Sequence, residues 1–222
     1  MSSFDLDILL AQTKVEQLEQ SIRKTLAENL NNNEKLKEIF QQLNDYFEEI
    51  KKNESFFFEG LSRRHFTALI SWSIPDENAL KAIKEFVGNN KVLEVGAGFG
   101  FWSKLLQLCD CDIIPTDNFS SYGTSSEKSF TGVEKLESLD AIKFYQNSNV
   151  LIMIWPPYNT SMAYNALTNF KGNKLVFIGE DGGCNADDDF FEELEQNWIQ
   201  EAIINIRQWD GIHDSLFLYN RK

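Results

Sequence analysis

The spacing of apolar residues divides the chain into a helical N-terminal part and a remainder in which short strands alternate with helices. From residue 5 to about 52, apolar residues recur at steps of three and four, which is typical of amphipathic helices. The stretch "NLNNNEK" interrupts this pattern, and asparagine favours turns and helix caps. We therefore expect a helical hairpin over residues 1–55. Its two apolar stripes are Leu6, Leu10, Val15, Leu18, Ile22 and Leu26, and Leu36, Ile39, Phe40, Leu43, Phe47 and Ile50.

Residues 56–90 are predicted to form a connector followed by a short helix. Pro75, Asp76 and Glu77 suit a helix start, because proline and acidic residues are favourable in the first turn. Gly88 suits the end of the same helix. This segment would lead into the first strand.

From residue 91 onward, apolar runs of strand length alternate with helical segments. Such alternation predicts an α/β fold with a mostly parallel sheet and helices on both faces. Two runs close to the C-terminus are separated by a short turn and suit an antiparallel hairpin at the sheet edge. The strand candidates are "KVLEV", "CDIIPTD", "NVLIMIW", "KLVFIG", "EAIINIRQW" and "DSLFLYN".

The charge and composition of the 222 residues narrow the range of partners. A formal net charge of −13 without a marked Lys/Arg cluster makes duplex nucleic acid an unfavourable partner. No apolar run approaches the ~20 residues of a membrane span. The start "MSSFDLDILL" has acidic residues where a signal peptide needs basic ones. Three cysteines without metal or disulfide spacing fit a reducing compartment, so we expect a cytoplasmic protein.

The segment "VLEVGAGFGFWSKLL" carries the strongest indication of a ligand site. Gly96, Gly98 and Gly100 follow an apolar strand and open a helix, where glycine permits a tight turn and a close ligand approach. Asp117 ends the next strand, roughly twenty residues further on, where an acid can accept hydrogen bonds from both hydroxyls of a ribose. Glu94, inside the first strand, would repel a pyrophosphate but suits a cofactor with an amino group and a positive charge.

This pattern, E-x-G-x-G-x-G plus an acid after the second strand, resembles motifs I and II of class I S-adenosylmethionine (SAM) dependent methyltransferases over residues from about 70 to 222. The resemblance implies a seven-stranded Rossmann-like sheet over residues 91–222, which binds SAM and releases S-adenosylhomocysteine (SAH). A glycine turn without SAM and the binding of another adenosine-containing ligand stay open as alternatives. By resemblance, the cofactor would contact Glu94, Gly96, Ala97, Gly98, Gly100, Asp117 and Asn118.

The stretch "NVLIMIWPPYNTS", residues 149–161, ends a strand at two prolines. Its "WPPY" is similar to the (Asn/Asp/Ser)-Pro-Pro-(Tyr/Phe) motif of methyltransferases that modify planar amino groups. Trp155 departs from that motif because an indole is only a hydrogen-bond donor. The carbonyls of Trp155 and Pro156 are expected to stay available beside the cofactor, and the ring and hydroxyl of Tyr158 beside the methyl acceptor. A purely structural proline turn is the alternative.

Further candidate site residues lie in segments that resemble a narrower set of proteins. The chain is similar to a largely uncharacterised methyltransferase-like set in "SWSIP", "LEVGAGFGFW", "WPPY", "GEDGGCNADDDFF" and "WDGIHDSLFLYNR". Glu180 and Asp181 follow the fifth strand and join Tyr158 as candidates for binding an amine or acting as a general base. Trp72 and His65 are candidates for contacting the acceptor, with plain packing as the alternative for Trp72. No metal site is predicted.

The sequence thus predicts methyl transfer from SAM to a small-molecule or protein acceptor, with an amine as one allowed class. The alternative is a catalytically inactive module that binds SAM or SAH and acts through protein partners of its N-terminal helices. The same helices could form a homodimer.

Overall fold

The computed structural model describes residues 3–53, 56–120 and 124–222, so the ends of the predicted hairpin lie outside the described residues. The chain divides into two units. One comprises Met1–Trp72 with Trp209–Gly211, and the other comprises Ser73–Gln208 with Ile212–Lys222.

The first unit contains the two predicted N-terminal helices, α1 (Ser3–Ala27) and α2 (Asn32–Lys51). The asparagine-rich break forms a capping box at the start of α2. The side chain of Asn31 accepts from the N–H of Glu34, and the side chain of Glu34 accepts from the N–H of Asn31. This reciprocal pairing satisfies N–H groups that a helix start leaves without partners.

A third helix, α3 (Phe56–Leu69), occupies the start of the segment that the sequence predicted as a connector. Phe58, Ser62 and Phe66 follow one another at steps of four and are all buried. Residues at this spacing lie on one helix face, which is why the segment is helical and packs against α1 and α2. Trp209 packs edge-on against Phe66 and Phe47, with ring centroids 5.4 and 5.1 Å apart.

The apolar stripe of α1 is only partly buried. Val15 and Ile22 are fully buried, but Leu6 and Leu10 are 51% and 44% exposed. The buried stripe begins at Ala11. Periodicity identifies the apolar face of a helix, but it does not show how far along that face a packing partner extends.

The second unit contains a seven-stranded sheet in the order β3-β2-β1-β4-β5-β7-β6. All neighbours from β3 to β5 pair in parallel, whereas β7 runs antiparallel to both β5 and β6. The sheet and its terminal hairpin confirm the predicted fold class. The strands are β1 (Val92–Val95), β2 (Ile113–Asp117), β3 (Glu134–Lys135), β4 (Val150–Ile154), β5 (Lys174–Gly179), β6 (Trp198–Asn205) and β7 (Ser215–Arg221).

Helices cover the sheet, and loops connect the carboxyl ends of the parallel strands to these helices. Three of them, α6, α7 and α8, pack in one apolar cluster with alternate residues of β1, β4, β5 and β7, such as Leu93, Met153, Phe177 and Phe217. None of the described helices is long and apolar enough to cross a membrane. The helices of this unit are α4 (Glu77–Val87), α5 (Phe101–Leu108), α6 (Ser138–Phe144), α7 (Met162–Asn169), α8 (Asp188–Asn197) and a short 3₁₀ helix (Ser126–Lys128).

Candidate functional site

The glycine loop joins β1 to α5 at the carboxyl end of the sheet. Gly96, Gly98 and Gly100 have φ angles of 72°, 55° and 66°, a region that residues with a side chain rarely adopt. At Gly100 a Cβ atom would also lie 2.6 Å from Cγ2 of Val133. At Gly98 the nearest atom to a Cβ would be 4.0 Å away, so this part of the loop borders open space. The loop therefore needs glycine for its own conformation and leaves room beside its backbone.

Asp117, at the end of β2, holds this loop in place. One carboxylate oxygen accepts from the N–H of Gly98 at 2.8 Å, and the other accepts from the N–H of Phe119 at 2.5 Å. Ala97 adds a backbone bond to the carbonyl of Thr116 at 3.0 Å. Each carboxylate oxygen can accept more than one hydrogen bond. Asp117 can therefore order the loop and still accept from a ligand hydroxyl.

Glu94 is buried in β1 beneath the loop, with 2% of its surface exposed. The Ser103 hydroxyl of α5 donates a hydrogen bond to its carboxylate. Burial raises the pKa of Glu94 to about 7; the Ser103 hydrogen bond opposes this rise, and the charge of Asp117 adds to it. Near neutral pH the group is therefore divided between its acid and carboxylate forms.

We expect this buried acid to make the stability of the protein depend on pH. Its pKa is higher in the folded chain than in the unfolded chain, so the folded state binds more protons between these two values. Stability should be greatest below about pH 4.5 for this group and should fall by about 3 kcal/mol as the pH rises through about 7. Glu94→Gln should flatten this slope in urea unfolding measured from pH 5 to 8. An unchanged slope in the variant would assign the dependence to other groups.

The proline segment after β4 is fixed by backbone hydrogen bonds to the loop after β5. Pro156 accepts from the N–H of Ala186 at 3.1 Å, and Asn159 donates to the carbonyl of Ala186 at 2.8 Å. The Pro156 carbonyl thus already accepts one hydrogen bond from the β5–α8 loop, and its availability beside the cofactor stays a prediction. Trp155 itself adopts a φ of 48°, a conformation that costs energy and clusters at functional sites.

The indole of Trp155 is oriented by a carboxylate from the β6–β7 connection. Its Nε1 donates to Oδ2 of Asp214 at 3.0 Å, and the side chain of Asp214 is almost completely buried. Burial raises the pKa of Asp214, the hydrogen bond from Trp155 and the proximity of the Ser73 hydroxyl lower it, and the charge of Glu180 raises it again. Where the proline motif usually has a polar side chain, this chain thus has the indole of Trp155, whose N–H is paired with Asp214.

Glu180 is also tied to neighbouring backbone. Its carboxylate accepts from the N–H of Cys184 at 3.1 Å and from the N–H of His213 at 2.9 Å. The buried Asn185 closes the same loop through the N–H and carbonyl of Glu180, at 2.7 and 3.0 Å. Glu180 therefore links the β5–α8 loop to the β6–β7 connection.

Asp181 lines a different region from Glu180. It borders a cleft of about 550 Å³ together with α8 and residues such as Trp198 and Tyr219. Its charge raises the pKa of Tyr219, after the larger effect of burial. Its assignment beside Tyr158 stays a prediction.

Tyr158 lies on the exposed rim of the proline segment, with 64% of its surface exposed. The start of α7, which follows this segment, lies against the glycine loop, because a Cβ atom on Gly96 would lie 3.0 Å from Cε of Met162. Asn118, after β2, donates to Glu137 at 3.1 Å and accepts from the N–H of Ser120 at 2.9 Å. The glycine loop and the proline segment thus meet at one rim.

The two other candidates belong to the first unit. His65 lies on α3, and burial together with the charge of Arg64 lowers its pKa. Trp72 ends this unit and is 49% exposed. Their predicted contact with an acceptor stays a prediction. No cluster of potential metal ligands occurs among the residues that the structure describes.

Sequence reasoning assigned no role to Asp214, Ser103 or Asn185. Asp214 and Ser73 do lie in two of the quoted segments, "WDGIHDSLFLYNR" and "SWSIP". The bond between Trp155 and Asp214 was not detectable from the sequence, because these residues are 59 positions apart and only the sheet order brings them together.

Comparisons with known proteins place this architecture among solved structures. The PH0226 protein from Pyrococcus horikoshii OT3 has a TM-score of 0.50 and 13% identity, with 72% of this chain and 97% of that chain covered. TehB from Haemophilus influenzae has a TM-score of 0.45 and 13% identity, covering 72% of this chain and 67% of that one. A mutant of MtNAS in complex with S-adenosylmethionine has a TM-score of 0.44 and 10% identity, covering 100% and 99%.

No protein-family model matches the sequence, and no curated protein matches it significantly. At these identities the structural similarity concerns the fold. The sheet order and the similarity to PH0226 agree on a Rossmann-like architecture. The chain therefore has a Rossmann-like α/β fold with an antiparallel strand pair at one edge of the sheet.

Proposed function

We propose that this protein is a SAM-dependent methyltransferase. The observation that carries the proposal is the glycine loop after β1, in which three glycines have positive φ and the N–H of Gly98 donates to Asp117. Ligands of open α/β sheets bind outside the carboxyl ends of the strands, where the strand order reverses. In this sheet the order reverses between β1 and β4, which is where the glycine loop and the proline segment meet.

The residues at this rim fit SAM. The free space at Gly98 allows a ligand to lie against the backbone, and the remaining lone pairs of Asp117 suit ribose hydroxyls. Glu94 lies beneath the loop and can carry a negative charge, which suits the amino group of the cofactor. When bound, SAM supplies an electrophilic methyl group and its own leaving group.

The chain's own contribution would be to position the acceptor and exclude water. The backbone bonds between the proline segment and Ala186 make the acceptor side rigid. The exposed ring of Tyr158 offers a flat surface for an acceptor, and its hydroxyl can accept or donate a hydrogen bond. Glu180 could orient an amine, although both of its oxygens already accept backbone hydrogen bonds.

Transfer of tritium from methyl-labelled SAM tests this function directly. The protein should label a component of a small-molecule or protein extract from its source organism. Tyr158→Ala should reduce the rate about tenfold if stacking contributes ~1.4 kcal/mol, whereas Tyr158→Phe should keep most of it. Binding of SAM and SAH without any labelled product would support the alternative, a binding module that acts through partners of α1 and α2.

A further inference from the structure

Asp214 is a buried acid whose hydrogen bonding is incomplete. Only 2% of its surface is exposed, and Oδ2 accepts from the indole of Trp155, but Oδ1 has no partner among the described residues. The fully buried Ser73 hydroxyl lies close enough to lower the pKa of Asp214, yet it makes no hydrogen bond of good geometry. Buried polar atoms in folded proteins are almost always paired, so an unpaired one calls for an explanation.

Asp214 also lacks a counter-charge in the structure. None of the ion pairs found within residues 3–53, 56–120 and 124–222 includes it. The charge that affects its ionisation is that of Glu180, which has the same sign and raises the pKa of Asp214. A buried carboxylate without a cation is costly, and no cationic side chain among the described residues is paired with Asp214 to offset that cost.

The position of Asp214 indicates which cation would balance its negative charge. The register of β1 and β4 pairs Glu94 with Ile152, so the glycine loop and Trp155 lie at the ends of neighbouring strands. Trp155 connects this rim to Asp214 through its indole. The carboxylate of Asp214 is therefore bonded to Trp155, the residue that borders the proposed reaction centre.

We propose that Asp214 is the counter-charge for a cationic centre bound beyond the end of β4. This inference rests on the proposed methyltransferase function. The cation is either the sulfonium of SAM or an ammonium group of the acceptor, since both carry one positive charge. Burial strengthens the attraction, because a charge shielded from water acts in a low local dielectric. Trp155 holds the carboxylate in place through Oδ2 and leaves Oδ1 unpaired.

The sulfonium arm of the test compares SAM with SAH, which differ by one methyl group and one positive charge. Asp214→Asn keeps the shape of the side chain and an oxygen that can accept from Trp155. In calorimetric titrations it should weaken SAM binding about tenfold and SAH binding less than about twofold. The matched control is Asp112→Asn, which makes the same change at an exposed residue before β2, at the amino ends of the parallel strands and away from the rim. This control should leave both affinities unchanged.

The ammonium arm uses protein saturated with SAH, which carries no sulfonium. Benzylamine and benzyl alcohol serve as a charged probe and its neutral counterpart. If the cation belongs to the acceptor, benzylamine should bind more tightly than benzyl alcohol, and Asp214→Asn should abolish the difference. A SAM-specific loss assigns Asp214 to the sulfonium, and a benzylamine-specific loss assigns it to the acceptor.

Equal effects on SAM and SAH, together with no effect on benzylamine, would overturn the inference while the methyltransferase function stands. Failure of the wild-type protein to bind SAM and SAH would instead overturn the proposed function. If Asp214→Asn does not fold, Trp155→Phe provides a second test, because it removes the donor to Oδ2 and leaves the carboxylate in place. The preference for the cationic ligand should then fall about threefold, because loss of this bond raises the pKa of Asp214 and reduces its negative charge, and an unchanged preference would contradict the inference.

Discussion

Replacing Asp117 by alanine should weaken SAM and SAH binding about 100-fold. The carboxylate accepts from the N–H groups of Gly98 and Phe119, so its loss leaves two N–H groups of the loop without partners. It would also remove the proposed acceptor for the ribose hydroxyls. Hydrogen bonds to charged groups contribute about 1.5–3 kcal/mol each, and a total of ~3 kcal/mol corresponds to about 100-fold. Isothermal titration calorimetry measures the change.

Asp117→Asn separates the two roles of this residue. Asparagine keeps one oxygen that can accept from the loop, but it lacks the charge and the second acceptor oxygen. We expect it to bind SAM more tightly than the alanine variant and more weakly than the wild type. Wild-type affinity in both variants would show that Asp117 does not contact the ligand.

Replacing Asn185 by alanine should destabilise the second unit by about 2–4 kcal/mol. The side chain is 1% exposed and bonds to both the N–H and the carbonyl of Glu180. Its removal leaves two half-buried backbone groups of Glu180 unpaired, and each costs about 1–2 kcal/mol. The loop should then loosen from Pro156, because Ala186, which holds that carbonyl, is the next residue. Urea unfolding measures the loss.

Asn185→Asp is the matched variant for this prediction. It keeps the oxygen that accepts from the N–H of Glu180 but cannot donate to the carbonyl unless it is protonated. We therefore expect a smaller loss than with alanine at low pH and a larger loss at neutral pH, where a buried charge is added. Equal stability of all three proteins would contradict the role given to Asn185.

Local sequence patterns predicted the parts of the site that depend on neighbouring residues. Gly96, Gly98 and Gly100 were predictable because a turn with positive φ admits little else. The place of Asp117 was predictable because it ends the strand that follows the loop, and its contact with a ribose stays a prediction. The apolar runs of β1, β4 and β5 were long enough to predict a buried parallel sheet, and the two C-terminal runs predicted the antiparallel hairpin.

The interactions that the sequence did not reveal join residues far apart in the chain. The bond between Trp155 and Asp214 depends on the place of β7 beside β5, and no local pattern encodes that neighbour. The pairing of the Pro156 carbonyl with Ala186 depends on how the β5–α8 loop folds back. The two-residue strand β3, with both residues exposed, was too short to give an apolar signal.

Titration of the wild-type protein with SAM, SAH and NAD tests the central claim most directly. The account predicts one site per chain with micromolar affinity for SAM and SAH, and competition between the two. NAD should give no heat and no competition, because Glu94 disfavours a pyrophosphate beside the glycine loop. Absence of binding by SAM and SAH, or tighter binding of NAD than of either, would contradict the assignment of this rim to SAM.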